Sequence, residues 1–404
     1  MPRSMRKRTV VLLVATAAFV LMFAQWRINS RPLSAADSEN LTNPLPGLSA
    51  QQRKDFDDGL AEFSDVEKAE DGLGPVFNGK SCAECHAVPS VGGSEPNVGV
   101  ARETRIGRIF NGAFDPLDGS VPGSVNRGGG LLQQRAIDLP GCHLKGEVVP
   151  PEATIVSLRN STPLFGAGLI EAIPDGTILA NQSNGGRPNY VLNPDTGGTE
   201  LGRFGWKAQV ATVHQFAGDA YLNELGVTNP SFPKENLPQG EPIPAGCDTV
   251  HDPEDDGSGV TAFANFMRFL APVPPRLPAT PEVQSGQQLF TQVGCASCHV
   301  PMMMTGANSV AALDKKPVNL FSDLLLHDVG TGDGIEQGQA KGNDFRTAPL
   351  WGLSRRDRYM HDGRSNTIEK AILRHGGEAQ HAINLLAGLS RSDYAKLLSF
   401  LGSL

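Results

Sequence analysis

Positive charge is scarce in this chain: 35 Lys and Arg stand against 43 Asp and Glu, leaving a net charge of −8 and an isoelectric point near 5.6. Nucleic-acid binding needs a basic face to neutralise phosphates, so that class of function is excluded, while a basic electron-transfer partner fits. Long apolar runs are scarce too. The one run, Val10 to Ala24, follows Arg3, Arg6, Lys7 and Arg8 and at about 15 residues falls short of a full bilayer span. A basic start before a short apolar core makes a secretory signal. Ser34, Ala35 and Ala36 supply a cleavage site that lies rather far downstream, so an uncleaved N-terminal anchor is the alternative. Residues 1–36 are therefore expected to be a signal peptide or a membrane tether, with the body of the chain outside the cytoplasm. Cysteine is the third scarcity. There are six in 404 residues, and no pair of free, acidic thiols that would support thiol oxidation.

Four of those six stand in two matching pentads, Cys82-Ala-Glu-Cys85-His86 and Cys295-Ala-Ser-Cys298-His299. Cysteines three apart lie on one face of a helical turn. Their sulfurs can form thioethers with both vinyl groups of one haem, and the histidine that follows comes under the iron as proximal ligand. A zinc knuckle or a thioredoxin-like pair uses the same cysteine spacing, but neither explains a histidine after each pair. Two covalently bound haem c groups are expected, attached at Cys82, Cys85, Cys295 and Cys298, with His86 and His299 on the irons. Such attachment takes place outside the cytoplasm, which agrees with the signal and points to the periplasm. Cys142 and Cys247 remain; in an oxidising compartment they suggest one disulfide, two buried free thiols being the alternative.

A chain of this length holds two or three domains, and 46 glycines with 30 prolines predict much ordered loop. The pattern predicts an amphipathic helix from Ser49 to Phe63, capped by Ser49. A Gly/Pro-rich stretch follows from Val88 to about Thr199, with strand-like pieces such as Ala153 to Leu158. Further helices are predicted from Ala208 to Leu225 and from Thr261 to Ala271. Pro272-Val-Pro-Pro-Arg-Leu-Pro278 then marks a boundary, after which the order repeats: helix Pro281 to Gln292, pentad, loops, closing helix Ser392 to Leu401. The fold class expected is mainly α and loop-rich, with two cytochrome c-like haem domains. The first (37–275) is expanded by a long insertion with some β, and the second covers 281–404. Asp252, Glu254, Asp256 and Gly257 mimic the opening of a calcium loop, but position twelve is Phe263. That stretch reads as a solvated turn, and calcium as unsupported.

What fills each iron's sixth position decides between carrier and enzyme. Near the second pentad stand Met302, Met303, Met304, His327, Met360, His361, His375 and His381, and sequence physics alone does not choose among them. The three methionines are too close to His299 to reach the opposite face and read as a hydrophobic wall on the haem edge. After His86 no histidine appears until His143, and the first domain has one methionine, Met267. A vacant or water-filled sixth position there is what a peroxide-binding iron needs, with His143, His214 and Met267 as alternative ligands.

Several stretches resemble a known family: Phe77-Asn-Gly-Lys-Ser-Cys-Ala-Glu-Cys-His86, Arg159-Asn-Ser-Thr-Pro-Leu-Phe-Gly-Ala-Gly-Leu-Ile-Glu171, Gly202-Arg-Phe-Gly-Trp-Lys-Ala208, Phe266-Met-Arg-Phe-Leu-Ala-Pro272, Phe345-Arg-Thr-Ala-Pro-Leu-Trp-Gly352 and Tyr359-Met-His-Asp-Gly-Arg364. The chain resembles the two-haem oxidoreductases labelled peroxidases or thiol oxidoreductases, which are related to bacterial di-haem cytochrome c peroxidases and to MauG enzymes. In those peroxidases the histidine of the Tyr-x-His-x-Gly segment precedes, by fourteen residues, the methionine that ligates the electron-entry haem. Here that count from His361 reaches His375, so the resemblance implies a bis-histidine second haem, His299 and His375, with His361 hydrogen-bonded near the haem edge. Glu171, in the segment that resembles the family's distal region, is the candidate catalytic acid/base above the first haem, a helix-end carboxylate on the surface being the alternative. Trp206 and Trp351 are candidates for an electron relay between the haems, core packing being the alternative.

The expected function is a di-haem c-type oxidoreductase, peroxidase-like, passing electrons from the C-terminal haem to an open N-terminal haem that reduces hydrogen peroxide or a related oxidant. A small redox protein or a quinone-linked donor would supply the electrons. The alternatives are a non-catalytic di-haem carrier and oxygenase or oxidase chemistry at the open haem.

Overall fold

The computed structural model describes residues 40–96 and 103–404; the signal-like segment 1–36 lies outside the described residues. Ser49 starts the first helix, Ala50–Ser64, with a capping box: its Oγ accepts from the Gln52 N–H at 3.2 Å, and Gln52 Oε1 accepts from the Ser49 N–H at 2.9 Å. The buried stripe Phe56, Gly59 and Phe63 packs on helix Ser258–Phe269, where the Phe266 ring lies 5.4 Å from Phe56 and 4.7 Å from Phe63. The two backbones nearly touch at Gly59. A Cβ there would sit 2.3 Å from the Ala262 carbonyl oxygen, so only glycine allows the crossing.

The second half repeats the device. Helix Pro281–Gln292, capped by Thr280, crosses the closing helix Arg391–Leu401, capped by Ser390. The contact point is Gly286, whose Cβ would meet the Lys396 carbonyl oxygen at 2.0 Å. Helix, pentad, loops and a final helix crossing the first thus occur twice. Each crossing carries its own buried cluster, one around Phe56, Phe263 and Phe266, the other around Phe290, Leu397 and Phe400.

The clusters do not follow the proline run cleanly. Met303, Leu313, Val318, Leu320 and Leu324, all downstream of the second pentad, are buried in the first cluster. Asn40–Leu404 form one unit.

The insertion supplies the β content. Strand Glu103–Phe110 pairs antiparallel with Ala113–Asp115, Leu131–Leu132 and Ile155–Arg159, the last lying two residues later than the expected piece. Cys142 and Cys247, both buried, form a disulfide with an S–S distance of 2.02 Å. The helix expected from Ala208 begins instead at Val213, capped by Thr212. Ala208 is held at φ 50° in a turn closed by the Phe204–Val210 bridge, a conformation no helix can contain. Its last turn, Tyr221–Leu225, winds as a π-turn, which redirects Glu224.

Candidate functional site

Ser81 caps the short helix Cys82–Cys85, its Oγ accepting from the Glu84 N–H at 3.2 Å. His86 follows with its Nδ1 2.9 Å from the Gly93 carbonyl oxygen, which fixes Nδ1 as the protonated nitrogen and leaves Nε2 with its lone pair. Burial lowers the His86 pKa, favouring the neutral form that binds metal. Cys82, Cys85 and His86 line one cavity.

The second pentad is built the same way. Gly294, at φ 86°, turns the chain into Cys295–Ser297, and His299 Nδ1 lies 2.9 Å from the Phe321 carbonyl oxygen. His375 lines the same cavity as Cys295, Cys298 and His299, its Nδ1 2.8 Å from the Ala371 carbonyl oxygen. The two imidazoles face one another with centroids 6.5 Å apart. Two metal–nitrogen bonds of about 2 Å each, plus the two ring radii, span roughly 6 Å, so one metal ion fits between them. Burial, with the neighbouring His375, lowers His299 to about 4, and burial lowers His375.

Trp206 lines both cavities. Its Nε1 donates to the Asn160 carbonyl at 2.6 Å, and the Asn160 N–H donates to the His361 carbonyl at 2.8 Å. The His361 ring stacks on Phe345 at 3.9 Å and lies 6.3 Å from the Trp206 ring. One indole and two hydrogen bonds therefore link the walls of the two cavities.

Residues 145–404 match the family model described as "Di-haem oxidoreductase, putative peroxidase". The chain belongs to the di-haem oxidoreductase family. Its solved neighbours include hydrazine synthase from Kuenenia stuttgartiensis (16% identity, 94% of this chain and 100% of that one, TM-score 0.40). A MauG-like protein associated with microbial copper homeostasis gives 14% identity, 94% coverage of each chain and a TM-score of 0.40. The diheme peroxidase BthA from Burkholderia thailandensis gives 15% identity, 90% and 87% coverage, and 0.40. No curated protein matches the chain.

Members of the di-haem oxidoreductase family carry two haems, and this chain offers two fitting sites. Each has a cysteine pair, an imidazole whose Nδ1 is held by a backbone carbonyl and a mostly apolar cavity. In the first, Asn160 Oδ1 is buried without a hydrogen-bond partner, as expected of a wall that meets a ligand. The cysteines are poor thiolates: burial pushes Cys82 up to about 12 and Cys295 up to about 11, which does not suit thiol redox catalysis.

The structure puts Glu171 elsewhere than expected. It does not line the first cavity. Its Oε1 accepts from the Val213 N–H at 2.8 Å, at the start of a helix, and its Oε2 from Arg268 Nε at 2.9 Å. With both oxygens engaged, this carboxylate ties helix Val213–Ala220 to helix Ser258–Phe269. Glu171→Gln is accordingly expected to leave peroxide turnover unchanged and to cost about 1 kcal/mol of stability, read by thermal unfolding; a large loss of turnover would return it to the site.

The carboxylates that do line the first cavity are Glu95, Glu103, Asp219 and Glu224, with Arg105 among them. Glu103 is ion-paired with Arg105. Glu224 accepts from Asn78 Nδ2 at 2.9 Å through Oε2, and burial with the neighbouring Glu103 pushes it up to about 8. Sequence reasoning missed Glu224. The available signal was the polar set Asp219, Asn223 and Glu224 interrupting the apolar stripe of Tyr221, Leu222 and Leu225.

The other expected residues separate clearly. Met267 lines the first cavity, buried on the stripe of Phe263. His143 is exposed, and His214 pairs with Asp195 at 2.8 Å; neither lines it. Met302 and Met304 are exposed and Met303 joins the main core, so these methionines do not form a wall of the second cavity. His327 is clamped between Asp323 at 2.7 Å and Glu378 at 2.8 Å, which engages both ring nitrogens, and Asp323 raises its pKa against the cost of burial. Trp351 is buried in the first cluster and lines neither of the two large cavities. In the calcium-like stretch, Asp256 Oδ1 accepts from the Ser258 N–H at 3.0 Å and Gly257, at φ 99°, begins a helix. Asp252 and Glu254 instead join Glu235 and Asp248 in a carboxylate cluster.

Proposed function

We propose that this protein is an exported, periplasmic di-haem c-type oxidoreductase of the peroxidase type, with haems attached at Cys82/Cys85 and Cys295/Cys298. His299 and His375 would hold the second iron from both sides, and His86 alone the first. The observation that carries this reading is the asymmetry of the cavities: the second presents two facing imidazoles, the first one imidazole and a set of carboxylates around Arg105.

When bound, the haems supply one-electron steps, the second receiving electrons from a small redox protein or quinone-linked donor and the first passing them to hydrogen peroxide or a related oxidant. The reaction consumes two electrons and two protons per peroxide and yields two waters. The chain's part is proton handling and placement. Glu224, protonated at neutral pH, has Oε2 fixed by Asn78 and serves as the acid toward the leaving oxygen. Glu103, ion-paired with Arg105 beside it, takes the proton of the incoming peroxide. Trp206 stands on the path between the haems.

The test is an electron paramagnetic resonance spectrum of the oxidised protein, repeated after one electron per molecule. One high-spin and one low-spin signal are expected, and His375→Ala should convert the low-spin signal to high-spin. Two low-spin signals in the wild type, with no high-spin species on half-reduction, would make the protein an electron carrier.

A further inference from the structure

Two arginines lie in the wall of the second cavity without a counter-ion. Arg346 is 8% exposed. Its backbone N–H donates to the Trp206 carbonyl at 2.7 Å and its Nε to the Gly205 carbonyl at 2.8 Å, while Nη1 is buried with no partner. Arg356 gives Nη2 to the carbonyls of Pro349 at 3.2 Å and Trp351 at 2.9 Å. Among the described residues neither guanidinium forms an ion pair. The carboxylate acting most on Arg346, Asp323, is already bound to His327 through Oδ2 and to the Leu325 N–H through Oδ1. Both arginines also line a smaller cavity that shares Trp206 and Gly205 with the first cavity.

A buried guanidinium left unpaired is costly, so this wall is built for an anion. Burial lowers both groups to about 10, and Arg356 adds to the effect on Arg346; an anion between them would relieve both. A haem held by thioethers at its vinyl edge carries two carboxylates at the opposite edge, and guanidinium matches carboxylate in a two-bonded fork.

We propose that Arg346 and Arg356 bind the propionates of the second haem, and that Arg346, anchored to Gly205 and Trp206, holds the propionate edge against the indole shared by the two cavities. The proposal rests on the reading of the second cavity as a haem c site. It makes Arg346 a positioning residue with an electrostatic effect: a cation near the macrocycle favours the reduced iron, which carries one positive charge fewer.

The experiment is an equilibrium redox titration of the holoprotein, following the low-spin haem by absorbance and paramagnetic resonance. Arg346→Leu is expected to lower the equilibrium constant for one-electron reduction of that haem about tenfold, a fall of ~59 mV, with the low-spin signal unchanged. Arg346→Lys, which keeps the charge, should stay near the wild-type potential. If Arg346→Leu yields no folded holoprotein, Arg356→Gln is titrated in its place with the same expectation. An unchanged potential with the low-spin signal intact overturns the proposal, as does a shift confined to the high-spin haem. A wild-type spectrum with no low-spin haem overturns the underlying cofactor reading and this proposal with it.

Discussion

Glu224→Gln should lower peroxide turnover by roughly 10²–10⁴-fold, the usual worth of a placed acid/base group, while both haem spectra stay as they are. Glutamine keeps the hydrogen bond from Asn78 and the shape of the side chain but has no proton to give. Because burial and Glu103 set the Glu224 pKa at about 8, wild-type turnover should decline as pH rises through that value, and the decline should be missing from the variant's residual activity. The same shift has a stability sign. Folding raises this carboxyl from 4.5 to about 8, so between those values the folded chain binds more protons than the unfolded one. Stability therefore falls as pH rises across that window, and Glu224→Gln should flatten the slope. Steady-state assays and denaturant midpoints at a series of pH values measure both. Full turnover in Glu224→Gln would leave the carboxylates without a part in the chemistry.

Removing the disulfide should have the largest effect on stability. Cys142 and Cys247 are separated by 105 residues, and opening so long a loop to the unfolded chain costs roughly 2–5 kcal/mol. Both sites are buried, Cys142 8% and Cys247 0% exposed, so the double substitution Cys142→Ala, Cys247→Ala adds no polar atom that would confuse the comparison. A lower denaturant midpoint with a steeper slope, because the unlinked denatured chain exposes more surface, is the expected signature. Thiol labelling of the denatured wild type should find no reactive cysteine, and a variant with the wild-type midpoint would remove the bond from the account of stability.

The parts legible in the sequence are those written in local spacing. Each pentad, the helix caps at Ser49, Thr280 and Ser390, and the repeated order of helix, pentad and closing helix depend on residues a few positions apart. The facing of His299 and His375 came within reach only through a resemblance, since spacing alone left five candidate ligands once Met302, Met303 and Met304 were set aside. Glu171 misled because a carboxylate near a glycine-rich turn looks the same in sequence whether it faces a cavity or caps a distant helix; Val213 and Arg268 decide, and they lie far along the chain. Glu224 was hidden for the converse reason. It becomes a cavity group only where a strand of the insertion, carrying Glu103 and Arg105, meets a helix end twisted by a π-turn. Met303 escaped notice in the same way, being claimed by a core whose other members lie mostly before the proline run.

That last placement bears on how the molecule is made. Residues 303–325 complete the packing around Leu313, Leu320 and Leu324 in a cluster otherwise built from the first half. A chain emerging from its N-terminus cannot finish that cluster until the second attachment motif has also emerged. Phe63, Leu164, Phe263 and Met267 belong both to that cluster and to the lining of the first cavity, so the walls of this cavity reach their final packing only late in the chain's synthesis.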